Sequence, residues 1–512
     1  MEQQKQLFGH PIGLYILFLT EMWERFSYYG MRAILVLFLV AKTTDPNNPG
    51  FGWSEIDAYS LYGWYTMFVY VASIPGGILA DKWLGQKRAV MLGGALLVAG
   101  HSILAIEALW AFYTGLTLIV AGVGCLKPNI STMVGGLYPK GDHRKDMGFY
   151  IFYMGINLGA AISALLVGYI GETYGWHYGF GLAGIGMLLG QLVYMYGQKY
   201  LVDVGNPPIK SIDSGKPEQN LFLDIFKQKN ALISFLIISA IGIALMVTSS
   251  WAYGLLIMFI GLSVGVSFVM YNDCNPVEKD RMKVVFLSFL IIIVFWGAFE
   301  QAGGLMNVYA DQKTDRSTGL GFFPEVPASW FQSVNAIFIL VFATVVGFFW
   351  SRWRKMGKES SSIFKMAVGT TIMGAGFIFM SFAADEYLEK GKSAMYWLIL
   401  AYLFHTIGEL CASPVALSFI TKLSPERYVA FMMGAYFAAS GLGNKVAGIL
   451  SELSAGGEEF TVFTGIAIFC IIFGILVFAI IKPLKRLTHG AEDQTEEAIP
   501  INNTTQIEVK GA

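Results

Sequence analysis

Four ionisable side chains crowd into EMWERFSYYGMRA, residues 21–33, inside a stretch otherwise suited to hydrocarbon. Glu21, Glu24, Arg25 and Arg32 lie between LYILFLT on one side and ILVLFLV on the other. Each ionised group near a bilayer centre costs about 2.5–3.5 kcal/mol on insertion scales. At about 100° per residue, Glu21, Arg25, Tyr28 and Arg32 fall within about 60° of one another, with Glu24 and Tyr29 beside them. Glu21 and Arg25 also form an i,i+4 pair with the carboxylate N-terminal, the better order. A polar stripe of this kind faces protein or water, and its chemistry is proton exchange and the anchoring of a charged solute. A purely structural ion-pair network is the bland alternative. Apolar replacement of such pairs is often neutral or stabilising, so stability alone explains them poorly.

Further polar residues interrupt other apolar stretches one at a time. Lys127 lies in LTLIVAGVGCLKPNISTMV with Pro128 beside it, and Asn157 in IFYMGINLGAAIS. Glu300 lies in VVFLSFLIIIVFWGAFEQAGG, Asn335 in FQSVNAIFIL and Glu409 in YLFHTIGELCASPVA. Lone charges in separate spans need partners from other helices, so we expect them to meet across a shared cavity, with Lys127 bonded to Glu300. A carboxylate that gains and loses a cationic partner as helices move binds and releases a proton. Inward movement of that charge gains ~2.3 kcal/mol per 100 mV. His405, one turn before Glu409, either tunes this site or is a packed, hydrogen-bonded histidine. Tyr28, Tyr29, Tyr65 and Tyr70 offer rings and hydroxyls suited to a zwitterion with variable side chains. Tyr59 and Tyr62, near a helix end, read as interfacial aromatics.

The elements that must hold these residues are membrane spans. Of 512 residues, 55% are hydrophobic and 14% charged, against about 25% charged in a soluble domain. Apolar runs of spanning length recur throughout, and no alternating β-barrel pattern appears. The fold class is therefore an all-α polytopic membrane protein of about 14 helices. Six spans are expected at about 14–40, 56–80, 88–107, 110–134, 146–171 and 178–200, then two at 230–249 and 252–271. A charged linker, NPVEKDRMK, precedes six more at 284–308, 329–351, 363–384, 395–420, 428–453 and 460–482. Residues 1–200 form an N-terminal six-helix bundle, 201–283 a linker with two additional helices, 284–485 a C-terminal bundle and 486–512 a disordered cytoplasmic tail. An even-numbered insert keeps both bundles in one orientation, as a parallel repeat requires. Lysines and arginines flank alternate short loops and place both termini in the cytoplasm; the loop 311–327, with Lys313 and Arg316, is the mild exception. A net charge of −1 gives no case for nucleic acid. Cys125, Cys274, Cys411 and Cys470 lack metal or redox spacing.

Between the second and third spans, GGILADKWLGQKR (Gly76–Arg88) resembles the cytoplasmic loop motif of the major facilitator superfamily. Its glycines allow close helix contact, and Asp81 can pair with basic groups or cap a helix. Within that superfamily the chain resembles the proton-dependent oligopeptide transporter family, through Glu21-Met-Trp-Glu24-Arg25-Phe26-Ser-Tyr28-Tyr29-Gly30. The stretches GVGCLKPN, FYMGINLG and Gly408-Glu409-Leu410 match as well, as do the positions of Glu300 and Asn335. The resemblance implies a major facilitator fold in a cell membrane and a symporter importing di- and tripeptides with protons, without cofactor or metal. It assigns Arg25, Lys127, Tyr29 and Asn157 to the peptide carboxylate, and Glu409 with Asn335 to its amino group. Glu21, Glu24 and Glu300 would couple protons, and Tyr28, Tyr65, Tyr70, Trp296 and Tyr436 would line side-chain pockets. Arg32 is left to a gate or to charge balance. A proton-driven exporter of drugs is the competing transport reading, though a cationic-drug site would more simply use acids and aromatics than Arg25 and Lys127. A receptor or scaffold without transport would not need titratable groups in both halves. An enzyme would need a nucleophile–base pair, a phosphate loop or a metal set, and none is evident.

Overall fold

A computed structural model describes residues 5–139, 142, 144–207, 221–321, 323–455 and 457–492. Long helices dominate: α1 Ile12–Val40, α2 Glu55–Leu84, α3 Gln86–Leu104, α4 Leu109–Gly136, α5 Arg144–Tyr174 and α6 Trp176–Tyr200. Next come α7 Lys229–Thr248 and α8 Trp251–Asp273. Then follow α9 Pro276–Gln312, α10 Trp330–Lys355, α11 Ser362–Lys390, α12 Met395–Leu423, α13 Val429–Ala455 and α14 Glu459–Leu487. Twelve of these are long and apolar enough to cross a membrane. The other two, α1 and α13, have the length at 29 and 27 residues but are more polar. Among the described residues, strands are confined to short two-stranded ribbons.

The expected spans match these helices to within about a turn, except that α11 runs six residues past its expected end to Lys390, α14 five past its own to Leu487, and α9 starts eight residues early. Its first eight residues were expected to be linker because they are charged. Asn275 and Glu278 instead exchange reciprocal bonds of 3.0 Å, each backbone N–H donating to the other's side chain, and so start the helix as a capping box. Lys283 and Asp280, 2.9 Å apart one turn further on, place the charges on a solvated face. At the other end of the chain α14 runs to Leu487, and positions 493–512 of the expected tail lie outside the described residues, as does 208–220 of the linker.

By contact the chain forms two compact units. One comprises Met1–Ser214, Ser288–Leu417 and Phe431–Ala479, and the other Gly215–Leu287, Ser418–Ala430 and Ile480–Ala512. Within the second, α7 and α8 make a tight hairpin in which a Cβ on Gly242 would strike Gly254's carbonyl region. Arg427 bonds both Asp273 and Glu278 at 2.9 Å there, and Tyr428 donates to Asp273 at 2.7 Å.

The first unit holds α1–α6 together with most of α9–α14, and all the singled-out membrane charges lie in it. It has two ends. Val40, Glu172, Gln312 and Trp330 mark one, Lys82, Arg144 and Lys355 the other. Small residues set its helix spacing, as usual where no hydrophobic force drives helices together in lipid. Gly93 faces the Gly122 carbonyl between α3 and α4, and Gly100 faces that of Gly115. In the GGILADKWLGQKR stretch, a Cβ on Gly76 would run into the carbonyl of Gly124 on α4, whereas one on Gly77 would meet nothing within 4 Å. Gly85 then turns the chain into α3 with φ of +74°, a conformation that favours glycine.

Gly76→Val should therefore lower thermal stability by the overpacking range of about 1–3 kcal/mol, while Gly77→Val should leave the melting midpoint near that of the parent. Equal midpoints for the two variants in detergent would mean that α2 and α4 separate without cost.

Candidate functional site

On α1 the charged stripe is closed by its own members. Arg25 Nε donates to Glu21 Oε1 at 2.8 Å and lies 3.0 Å from Glu24 Oε2, while Nη2 is also 2.8 Å from Glu21 Oε1. Arg25 is 5% exposed, Glu21 1% and Glu24 0%, so these groups are withdrawn from water as a set. The Glu24 oxygens and Glu21 Oε2 accept no aligned hydrogen bond in this arrangement. A carboxylate pair sharing one guanidinium therefore keeps unused acceptor capacity.

Lys127 stands near this set, within electrostatic reach of Arg25, Glu24 and Glu21. Its ammonium lies 3.8 Å from the ring centroid of Tyr70 and 5.9 Å from that of Phe437 on α13, a cation held over aromatic faces. The expected bond from Lys127 to Glu300 is not what the structure forms. Glu300 instead takes Arg32, with Nη1 to Oε1 at 3.1 Å, and the hydroxyl of Tyr62, which donates to Oε1 at 3.0 Å. Helix level is the reason. At 1.5 Å per residue, Lys127 lies about 27 Å down α4 from its Val40-side end, and Glu300 only about 18 Å down α9. Arg32 and Tyr62 lie higher still, about 12 and 10 Å down their helices, and their long side chains reach down to Glu300. Arg32, left without a clear partner by the sequence, thus joins α1 to α9. Tyr62, read as an interfacial aromatic, is 1% exposed and belongs to the same node.

A third node lies wholly in the second six-helix set. Asn335 Nδ2 on α10 donates to Glu409 Oε2 on α12 at 3.0 Å and also lies 3.0 Å from Thr406 Oγ1. Tyr29 links the nodes, standing within electrostatic reach of Arg25, Arg32, Glu300 and Glu409. Its ring is 5.4 Å from that of Tyr28 and 5.2 Å from the Arg32 guanidinium. Tyr65 is in reach of Glu24 and Arg32, and its buried hydroxyl has no hydrogen-bond partner, like that of Tyr28. Tyr436 is in reach of Glu409 and its side chain meets Trp296. Asn157 is buried on α5 but gives its amide to the carbonyl of Tyr153 at 3.0 Å, one turn back on its own helix. Asp81 is exposed at the far end of α2, away from the three nodes. His405 is buried with its ring 4.5 Å from that of Phe377, and neither ring nitrogen has a hydrogen-bond partner. Among the described residues no cluster of His, Cys, Asp and Glu is arranged to hold a metal ion.

Two polar contributors escaped the sequence reading. Lys445 on α13 is 1% exposed, bonds Glu452 at 3.1 Å and lies 4.8 Å from the ring of Trp64 on α2. The rule that picked out Lys127, a lone cation inside an apolar span, would have found it. Asn307 on α9 donates to the Ala33 carbonyl at 2.8 Å and joins the two sets again. Arg32–Glu300, Tyr62–Glu300, Asn307–Ala33, Glu172 with Ala328 and Ser329, Trp330–Leu165, Gln332–Ala33 and Asn444–Thr66 join the sets in the half of the bundle nearer Val40.

A family model described as the POT family matches residues 87–464. The chain is similar to peptide transporter YePEPT of Yersinia enterocolitica subsp. palearctica, 37% identical over 96% of this chain and 98% of that one. A di-/tripeptide transporter of Lactococcus lactis subsp. cremoris is 36% identical, over 94% and 98% of the two chains. Among solved structures, the crystal structure of peptide transporter POT in complex with sulfate matches with a TM-score of 0.79 and 34% identity, over 94% of this chain and 97% of that one.

Removing one partner of a buried ion pair typically costs about 3–5 kcal/mol, because the other charge is left uncompensated. Arg32→Ala should lower the thermal midpoint accordingly, and adding Glu300→Gln should restore most of the loss. A double variant no more stable than Arg32→Ala would show that the two charges are not coupled.

Proposed function

The chain belongs to the POT family, and from that premise we propose that it is a proton-coupled peptide symporter. It imports di- and tripeptides by alternating access, with the substrate held at the midplane between the two six-helix sets. One observation carries this reading most directly. Two cations, Arg25 and Lys127, stand on the first set, and Glu409, held by Asn335, stands on the second. Charges of opposite sign on two bodies that move apart suit a zwitterion that bridges them.

Arg25 and Lys127, with Tyr29 and Asn157, take the peptide carboxylate. Glu409 and Asn335 take its ammonium group. Tyr28, Tyr65, Tyr70, Trp296 and Tyr436 face the variable side chains with rings and hydroxyls, which bind many residues without demanding one. Glu21, Glu24 and Glu300 carry the protons. Since Glu21 and Glu24 share Arg25, a proton on either one frees part of the guanidinium for the incoming carboxylate. Glu300 holds Arg32 across the two sets, so a proton there releases that bond and lets the Val40 end open. When the proton leaves on the opposite side, the pair forms again and closes the end through which the peptide entered.

Import also requires that the Val40 end face outward, with both termini in the cytoplasm of a cell whose membrane holds the protein. Lys82, Lys87, Arg88, Arg144, Lys145, Arg352, Arg354 and Lys355 gather at the opposite end, in accord with the positive-inside rule. The two cations of the 311–327 loop are outnumbered by these eight, and both are engaged by acids. Lys313 is bonded to Glu459, and Arg316 lies 3.0 Å from Asp311 and 3.2 Å from Glu325.

Purified protein in liposomes should accumulate labelled dialanine under an inward proton gradient, with competition by tripeptides. Expulsion of cationic drugs in place of peptide uptake would favour the exporter reading, and absence of any flux would favour a receptor. Glu21→Gln and Glu24→Gln should abolish concentrative uptake while leaving counterflow. Lys127→Ala and Glu409→Gln should weaken peptide binding by at least about tenfold, as expected for a charged partner lost from a desolvated site. Full proton-driven uptake in the Glu21 and Glu24 variants would remove both from coupling.

A further inference from the structure

Helix α5 ends in features that the three nodes do not use. Its ladder loosens into a π turn over Ala164–Gly168 before resuming to Tyr174. Such turns are rare and concentrate at functional positions. Leu165, Gly168 and Glu172 follow at spacings of three and four, so they share one face of the helix. That face meets the start of α10, in the other six-helix set, at every point. The Leu165 carbonyl accepts the Trp330 indole N–H at 3.0 Å. A Cβ on Gly168 would collide with Ser329 Oγ. The Glu172 carboxylate accepts the backbone N–H groups of Ala328 and Ser329 at 2.9 Å each, and the Ser329 hydroxyl as well. Arg316 lies 3.9 Å from its second oxygen.

A helix start carries unpaired N–H groups and a partial positive charge, ordinarily met by its own N-cap side chain. Ser329 is the N-cap of α10, yet it makes no side-chain bond to its own helix. Its hydroxyl is turned to Glu172 instead. The carboxylate that receives the N–H groups leading into α10 thus comes from α5, and those bonds exist only while the two sets meet at the Val40 end. Glu172 is itself held in place by Asn48, whose amide donates to the Gly171 carbonyl at 2.7 Å and the Glu172 carbonyl at 3.2 Å.

We propose that Leu165, Gly168 and Glu172 form a socket for the start of α10 and act as a latch that holds the Val40 end closed, separate from the Arg32–Glu300 pair. Glu172 is a positioning residue in this role. It acts on the helices that carry Asn157 and Asn335, and opening the latch leaves the Ala328 and Ser329 N–H groups, just ahead of α10, without their acceptor. The compartment that the latch faces follows from the orientation proposed above; the latch itself does not depend on it.

Spin labels at Thr44 and Ser317, both exposed at the Val40 end and on opposite sets, read the state of the latch directly. The four native cysteines are buried, so introduced ones label selectively. In nanodiscs without substrate the parent should show mainly the short distance. Glu172→Gln replaces an acceptor oxygen by an N–H donor and removes the charge, and should raise the ratio of open to closed by about tenfold, the size of one charged hydrogen bond. Gly168→Val should shift the distances the same way through steric exclusion of Ser329. Ser329→Ala combined with Glu172→Gln should shift them by less than the sum of the two. Thermal unfolding verifies that each variant is folded. Parent-like distances in folded Glu172→Gln and Gly168→Val would overturn the latch. A protein that lacks peptide transport yet shows the predicted shifts would count against the transport reading alone.

Discussion

A guanidinium sealed from water has to keep an acid beside it, and Arg25 meets that requirement with two, Glu21 and Glu24. Every other feature of the site can be traced to the same constraint. Low dielectric makes each unpaired charge costly and each paired one strongly held. Arg32 cannot find a second acid on its own helix and reaches α9, which draws the two sets together at Glu300. Glu409 takes the neutral amide of Asn335, while the buried cation of its own set, Lys445, is bonded to Glu452. Lys127 rests over aromatic faces, leaving its charge softened rather than neutralised. The positions without a full counter-charge are the ones where a charged guest would lower the energy most.

Placing four charges on one helix is possible only if that helix is surrounded by its own protein. Glycines bring the neighbours in. Gly159 of α5 lies against the Met22 carbonyl and the Arg25 side chain, Gly30 of α1 against Val167, and Gly186 and Gly190 of α6 against Phe26 and Trp23. The polar face of α1 therefore looks toward the other set. Its opposite face, with Met22, Trp23 and Phe26, lines an apolar crevice together with Ile162, Leu182 and Ile185. One helix thus carries both surfaces that a transporter half requires, and its amphipathicity is set by what each side meets.

Most of this was legible before any coordinates. Apolar run length found the helices, because membrane thickness leaves little choice of length. It failed at Pro276, where a capping box and an i,i+3 pair extend a helix into charged sequence that hydropathy alone reads as linker. The charged positions were visible as interruptions of hydrocarbon, and so was the Glu21–Arg25 pair on one helix, but the partners on other helices were not. Sign complementarity suggested Lys127 with Glu300, whereas depth along each helix, which the same sequence encodes, selects Arg32 and Tyr62. Glu172 was invisible for a further reason. It lies where a carboxylate looks like an ordinary loop residue, and only tertiary structure shows that it receives the N–H groups leading into a helix more than 150 positions away.

These two ways of closing the Val40 end differ in a manner that bears on coupling. An apolar contact would hold the sets together whatever the proton concentration. In the proposed coupling the Arg32–Glu300 pair holds them only while Glu300 is ionised, since a neutral carboxyl loses most of its attraction to the guanidinium. The expense of burying that pair thus yields a closure that a proton can undo, which no stable hydrophobic seal provides. The socket at Leu165, Gly168 and Glu172 adds a directional contact, because the Glu172 carboxylate accepts two adjacent backbone N–H groups at fixed geometry. In the proposed cycle the first joins two opposite charges across the sets, and the second fixes where the start of α10 sits against α5.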